Sequence, residues 1–312
     1  MLYNFQRTVL VGLLLVQFTA CRSNDRSAVR AQSNGESVQI VDDLGQQVKL
    51  AKPARRIVAL SPSNVEILFA VGCGERVVLR DKLSNYPPQV EKIDATDGFR
   101  LSAEHIAGYS PDLVLLSHAD LSRIAALRAL GIAVASFDPR SVQQVARNIV
   151  AVGALCGARK KALGLAAKLR SDVQNLSRMA QAFQRKMVYV ELDGSDPLKP
   201  WTAGPGSFVQ QLINLAGGKN VGHRLSRPYA QISVEEVIAS KPQVAVLTVS
   251  KPGSGKEVLA KRPGWTLLAS LPREQVVDDS RAPLLTRPGP RLVQGLRALI
   301  EALHPQLRGR VP

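Results

Sequence analysis

The chain has 312 residues, with 41 Lys+Arg against 25 Asp+Glu, a net charge of +16 and 45% hydrophobic residues. That hydrophobic content can bury a large core, which excludes wholesale disorder, and the length predicts two lobes rather than one. Three cysteines exclude a disulfide-stapled scaffold, and an aromatic content of 4% argues against a surface that stacks single-stranded bases.

Residues 1–20 carry one charge, Arg7, followed by an apolar run from Val9 to Val16. As a helix this run spans about 12 Å, far less than the roughly 30 Å hydrocarbon core, so a cleaved secretory signal peptide is predicted rather than a membrane span. Thr19-Ala20-Cys21 resembles a bacterial lipobox, with Phe18 where that pattern has Leu. Cys21 then becomes a lipidated N-terminus; the alternative is a cut nearby that leaves it a free thiol. Residues 21–37 are predicted to be the lipid anchor and a polar tether with little to bury. Cys73 and Cys156 each lie beside glycine near a predicted helix end, either as a disulfide or as two separately buried thiols.

A repeat organises the rest. Ile57-Val58-Ala59-Leu60 reads as a strand, and 131 positions later stands Val188-Tyr189-Val190-Glu191. Val65, Leu68, Val71 and Gly74 have helical spacing ending at glycine, and match Val209, Leu212, Leu215 and Gly218 at an offset of 144. The difference of 13 is a loop-sized insertion over roughly 193–206, whose Pro and Gly content predicts loop rather than strand. Ser102-x-Glu104, Ile106, Pro111 and the run Leu113–Leu116 recur at 131 as Ser233-x-Glu235, Val237, Pro242 and Val244–Leu247. Further strands are predicted at Val77–Leu79, Ile132–Phe137 and Gln275–Val277. Residues 157–186 contain no proline and predict a helix of roughly 25 residues, about 40 Å long. The fold class is therefore α/β, with two similar parallel-sheet lobes at 38–156 and 187–312, joined by one long rigid helix at 157–186.

The strings RRIVALSPSNVEILFAVG, YPPQV, LSAEHIAGYSPDLVLL, WTAGPGSFVQQLINLAGGKNVG and ISVEEVIASKPQVAVL together resemble the solute-binding proteins of ABC importers for cobalamin, siderophores and haem. The resemblance implies an extracytoplasmic, periplasmic or cell-surface monomer that holds its ligand in a cleft between the lobes. It implies delivery to a permease dimer with ATPase subunits, membrane attachment through the lipid anchor, and no part in binding nucleic acid. In that family each lobe presents a glutamate to a permease arginine, which falls on Glu104 and Glu235. The alternative is helix capping by Ser102 and Ser233, with a first-turn carboxylate favoured by the helix dipole. Capping explains Glu236 better, because it has capping-box spacing from Ser233 where Ser102 has His105.

Loops at the carboxyl ends of parallel strands supply the crevice. They give Ser63 and Asn64 after the first strand, the stretch holding Tyr86 after the second, and the inserted loop with Trp201. Trp201 either packs against a macrocycle or plugs its own lobe. Tyr86 is similar to a family tyrosine that contacts cobalamin, and Tyr229 matches a family aromatic position. Arg287 aligns with a cationic cleft position that pairs with a ligand phosphate or carboxylate, or else is a solvated loop charge. The stretch 97–102 looks closer to haem-binding members and 202–208 to cobalamin binders. A corrinoid is favoured, with haem, liganded by Tyr86 or His118, and a ferric siderophore as alternatives.

Chemistry of other kinds is unsupported. Gly204-x-Gly206 is followed by Val209 where a dinucleotide fingerprint needs glycine, and Gly253-Ser254-Gly255-Lys256 lacks phosphate-loop spacing. No Gly-x-Ser-x-Gly or His-Glu-x-x-His occurs, and the four histidines lack metal-ligand spacing, so no enzyme, catalytic residue, metal or cofactor is expected. Lys and Arg are spread along the chain rather than clustered as a nucleic-acid site would have them.

Overall fold

The computed structural model describes residues 37–98, 101–117, 120–248, 254–278 and 281–310. The signal peptide, Cys21, the tether to residue 36 and His118 lie outside the described residues.

The first lobe opens with an antiparallel hairpin, β1 (Val38–Val41) and β2 (Gln47–Leu50), in which Val38 faces Leu50. β3 (Ile57–Ala59) is fully buried and feeds α1 (Pro62–Val71). Ser61 caps α1 by accepting the Asn64 N–H, Pro62 occupies the first turn, and Gly72 ends it at φ 87. β4 (Val77–Asp81), β5 (Ala95–Thr96), α2 (Ala103–Gly108), β6 (Leu113–Leu116), α3 (Leu121–Ala129) and β7 (Ala133–Ser136) follow. They complete a five-stranded parallel sheet in the order β5-β4-β3-β6-β7.

α4 (Val142–Leu155) returns from the carboxyl end of β7 to the amino ends of the strands. There Ala54, just before β3, donates its N–H to the Leu155 carbonyl at 2.9 Å. α5 (Arg159–Ala180) crosses to the second lobe at this end, burying Ala162, Ala166, Leu169, Val173, Leu176 and Ala180 along one stripe. The stripe lies tightly on α4, because a Cβ at Gly153 would collide with Ala162. The helix read over 157–186 is thus shorter, about 33 Å. It stops where Gln181 turns to donate its side-chain amide to the Asn214 carbonyl at 2.8 Å, and the chain bends into the next strand.

The second lobe contains β8 (Lys186–Glu191), β9 (Trp201–Ala203), α6 (Phe208–Leu215), β10 (Gly218–Asn220), β11 (Tyr229–Gln231), α7 (Val234–Ala239), β12 (Val244–Leu247), α8 (Gly255–Ala260), α9 (Thr266–Ala269), β13 (Val276–Val277) and α10 (Leu292–Leu303). Its sheet is parallel, in the order β10-β8-β12-β13, with β9 and β11 paired antiparallel beside it. The insertion read as loop therefore contains a strand. β9 is three residues long and owes its existence to a partner 26 positions away, Tyr229 opposite Ala203, which local composition does not register.

The repeat extends below the level of elements. α2 and α7, and β6 and β12, coincide at the 131-residue offset. So do Ser110 and Lys241, the two non-glycine residues at positive φ among the described residues, both at 48°. Asp112 N–H bonds the Arg56 carbonyl and Gln243 N–H the Met187 carbonyl, again 131 apart at both ends.

One apolar cluster runs from the first sheet through α4, α5 and α10 into the second, so α5 is core shared by both lobes rather than a free linker. Smaller clusters cover the outer faces, around Ile106 and Leu127 in one lobe and Tyr189 and Trp265 in the other. Cys73 and Cys156, both buried, are joined as a disulfide, which decides the alternative left open above. Among the described residues no helix is long and apolar enough to cross a membrane.

Candidate functional site

The carboxyl ends of both sheets face a cleft of about 540 Å³ between the lobes. From the first lobe come Ser61 to Ser63 after β3, Asp81 and Leu83 at β4, Ser117 after β6, and Phe137 to Pro139 after β7. The second contributes Leu192, Phe208, Tyr229, Thr248 and the segment around Arg287. Hydroxyls alternate with aromatic and proline surfaces. Asp81 is largely spent on its own loops, accepting the Leu83 N–H at 2.8 Å and the Gly98 N–H at 3.2 Å.

Of the residues singled out from sequence, Ser63, Tyr229 and Arg287 line this cleft together. Asn64 does not: it is buried, and its side-chain amide donates to the Leu116 carbonyl at 3.1 Å, fastening α1 to the end of β6. Partial enclosure pushes the Tyr229 phenol above its ordinary pKa, with the nearby Asp138 charge adding to the effect, so it stays neutral at physiological pH. Trp201 is exposed at the start of β9, two positions from Ala203, the partner of Tyr229, and outside the cleft wall.

Tyr86 also lies outside the cleft wall. The Arg291 guanidinium sits 3.7 Å above its ring, and both line a separate cavity of about 580 Å³ with Phe69 and Glu66. Glu66, on α1, is the centre of a charged knot between the lobes. Its Oε1 lies 3.4 Å from Arg291 Nη1 and 3.8 Å from Arg287 Nη1, while its Oε2 has no hydrogen-bond partner. Burial raises the Glu66 pKa, opposed by Arg291 and then Arg287. Arg287 further donates to Asn85 Oδ1 at 2.8 Å, so the cleft's arginine is already held by the first lobe. Sequence reasoning missed Glu66. The available signal was a lone carboxylate inside the apolar run NVEILFAV.

Glu104 and Glu235 stand in the first turns of α2 and α7. Both are exposed, at the end of the molecule that carries the cleft. Ser102 accepts the His105 N–H, and Ser233 accepts the Glu236 N–H while the Glu236 side chain accepts the Ser233 N–H at 3.1 Å. Glu236 is thereby used as a cap and Glu235 is not. Glu104's own backbone N–H, and then the Ser102 hydroxyl, hold its carboxyl below the ordinary carboxylate range, which keeps it ionised. Among the described residues no group of three His, Cys, Asp or Glu is placed to hold a metal ion.

Residues 57–282 match the model of the periplasmic binding protein family. A substrate-binding lipoprotein of an ABC transporter from Bacillus subtilis is 29% identical over 276 residues, 86% of each chain. The vitamin B12-binding protein of Salmonella choleraesuis is 30% identical, over 80% of this chain and 90% of its own. Among solved structures, the periplasmic vitamin B12 binding protein of Vibrio cholerae superposes with a TM-score of 0.67 at 25% identity, covering 80% of this chain and 97% of that one. A periplasmic heme-binding protein from Roseiflexus gives the same TM-score at 28% identity, covering 80% and 100%.

Proposed function

Because the chain belongs to the periplasmic binding protein family and is the substrate-binding component of an ABC importer, not an enzyme, we propose that its ligand is a corrinoid, cobalamin, captured in the cleft and handed to the permease. The observation that carries this reading is that, among the described residues, the cleft lining offers no free cation. Its arginine is engaged by Asn85 and Glu66, and the other polar groups are hydroxyls and the carboxylates of Asp81 and Asp138. Such a lining suits an amide-rich, hydrogen-bonding macrocycle better than haem, whose carboxylates call for free cations and whose iron calls for a tyrosinate or histidine. Ser63 and Tyr229 contact the ligand within the cleft. Trp201 and Tyr86 meet the parts that project from it, and Asn64 acts by holding α1 in place.

Titration calorimetry of the chain with cyanocobalamin tests this, with haemin as competitor. One-to-one cobalamin binding is expected, weakened about ten-fold or more by Trp201→Ala. Tight haemin binding without cobalamin binding would replace the corrinoid with haem.

Glu104 and Glu235 are the docking carboxylates, each meeting one copy of the permease, and Cys21 carries the lipid. Reversing both glutamates to lysine is expected to leave ligand binding intact and abolish uptake, since like charges across a docking face oppose encounter and register. Unimpaired uptake in that variant overturns the docking assignment.

A further inference from the structure

Neither ligand capture nor permease docking uses the net charge of +16. Its distribution is uneven. α5 bears Arg159, Lys160, Lys161, Lys168, Arg170 and Arg178 against one carboxylate, Asp172, and all six cations are exposed. Lys168 pairs with Asp172 at 2.7 Å, whereas Arg159, Lys160, Lys161 and Arg170 make no hydrogen bond or ion pair among the described residues. Because α5 joins the amino ends of the two sheets, this charge lies at the pole opposite the cleft. Lys52 and Arg55 add to it where α4 gives way to α5, and Arg308 and Arg310, also exposed, follow α10 at the other end.

The same pole is where the described chain begins. β1 runs from Val38, which pairs with Leu50 just before Lys52, toward Asp42, whose carboxylate accepts the Ser136 N–H at the cleft end. Any segment preceding Val38 therefore leaves from the basic end. Sixteen residues, 22–37, stand between Cys21 and the first described strand.

We propose that the basic pole centred on α5 is a contact surface for a bilayer of anionic phospholipids, which parks the protein with its cleft turned away from the membrane between deliveries. Charge complementarity and the exit point of the tether act together: the tether confines the pole near the surface, and each lysine or arginine reaching the headgroups adds to the attraction. Docking through Glu104 and Glu235, at the opposite end, then requires the molecule to turn over. This proposal stands apart from the identity of the ligand.

The test uses the chain from Arg22 onward, which retains every described residue and carries no lipid, in co-sedimentation with vesicles. Binding to vesicles containing about one-third phosphatidylglycerol is expected to exceed binding to pure phosphatidylcholine by about ten-fold or more, and to vanish at about 0.5 M salt. Lys160→Glu with Arg170→Glu and Arg178→Glu should abolish the difference. A second triple variant, Lys199→Glu with Arg224→Glu and Lys261→Glu, changes net charge equally at exposed positions away from α5 and should keep most of it. Unchanged circular dichroism and thermal unfolding establish that both variants fold. Equal loss in the two variants would reduce the effect to net charge and overturn the proposal, as would equal binding to both vesicle types.

Discussion

Ser102 and Ser233 cap corresponding helices 131 positions apart, yet Ser102 accepts a single N–H whereas Ser233 belongs to a reciprocal box with Glu236. The difference recurs at larger scale. The first lobe is closed by a disulfide between Cys73 and Cys156. The second is secured by Glu191, fully buried, which receives Arg262 through both carboxylate oxygens and the Tyr189 hydroxyl. Arg262 also lies over Trp265, whose indole N–H bonds the Pro197 carbonyl in the inserted segment. The repeat thus preserves backbone bends and the placement of Glu104 and Glu235, while each lobe stabilises them with its own chemistry. Only the second lobe had an insertion to hold down.

The sharpest way to break that comparison is at the buried ion pair. Arg262→Ala leaves Glu191 charged and unpaired in the interior, and urea denaturation should show a loss of about 3–5 kcal/mol. Reduction of Cys73–Cys156, or replacement of both cysteines by serine, should cost about 2–4 kcal/mol by the same measurement, confined to the first lobe. An equal response of the two lobes to either change, read by hydrogen exchange, would mean that the shared core around α5 couples them into one cooperative unit.

Glu66 sharpens the comparison at the seam. Its folded pKa lies above its unfolded value, so the native state binds more protons through the interval just above pH 4.5. Stability from this group is therefore present at low pH and lost as pH rises through the folded pKa. Glu66→Gln should flatten the decline on the alkaline side of that interval. The smallest effect belongs to the caps. Ser102→Ala and Ser233→Ala should each cost about 1 kcal/mol, with the loss at Ser233 greater because Glu236 also loses its partner.

Much of the scaffold was legible because the repeat encodes backbone requirements. The serine caps, the proline at strand entry and the apolar strands stand at fixed spacing, and parallel topology then places Ser63 just past the carboxyl end of β3, whereas Tyr229 and Arg287 were reached only through the family resemblance. What was illegible depends on distant partners. β1, β2, β9 and β11 are three or four residues long and exist through cross-strand pairing, so composition reads them as loop or passes over them. The end of α5 is set by Gln181 meeting the end of α6 rather than by a local breaker. Side-chain direction was equally hidden. The interior position of Asn64 and the stacking of Tyr86 under Arg291 arise from contacts across 52 residues in one case and across lobes in the other. Glu66 escaped attention because its two cations come from a segment more than 200 positions away.

The disulfide also bears on the order in which the molecule matures. Both cysteines precede α5, and the segment they enclose ends with α4. For a chain crossing a membrane N-terminus first, Cys156 emerges while the whole second lobe is still behind it. The first lobe can therefore pair its strands and oxidise as an independent unit, and it offers α4 as a finished surface on which α5 and the later lobe assemble.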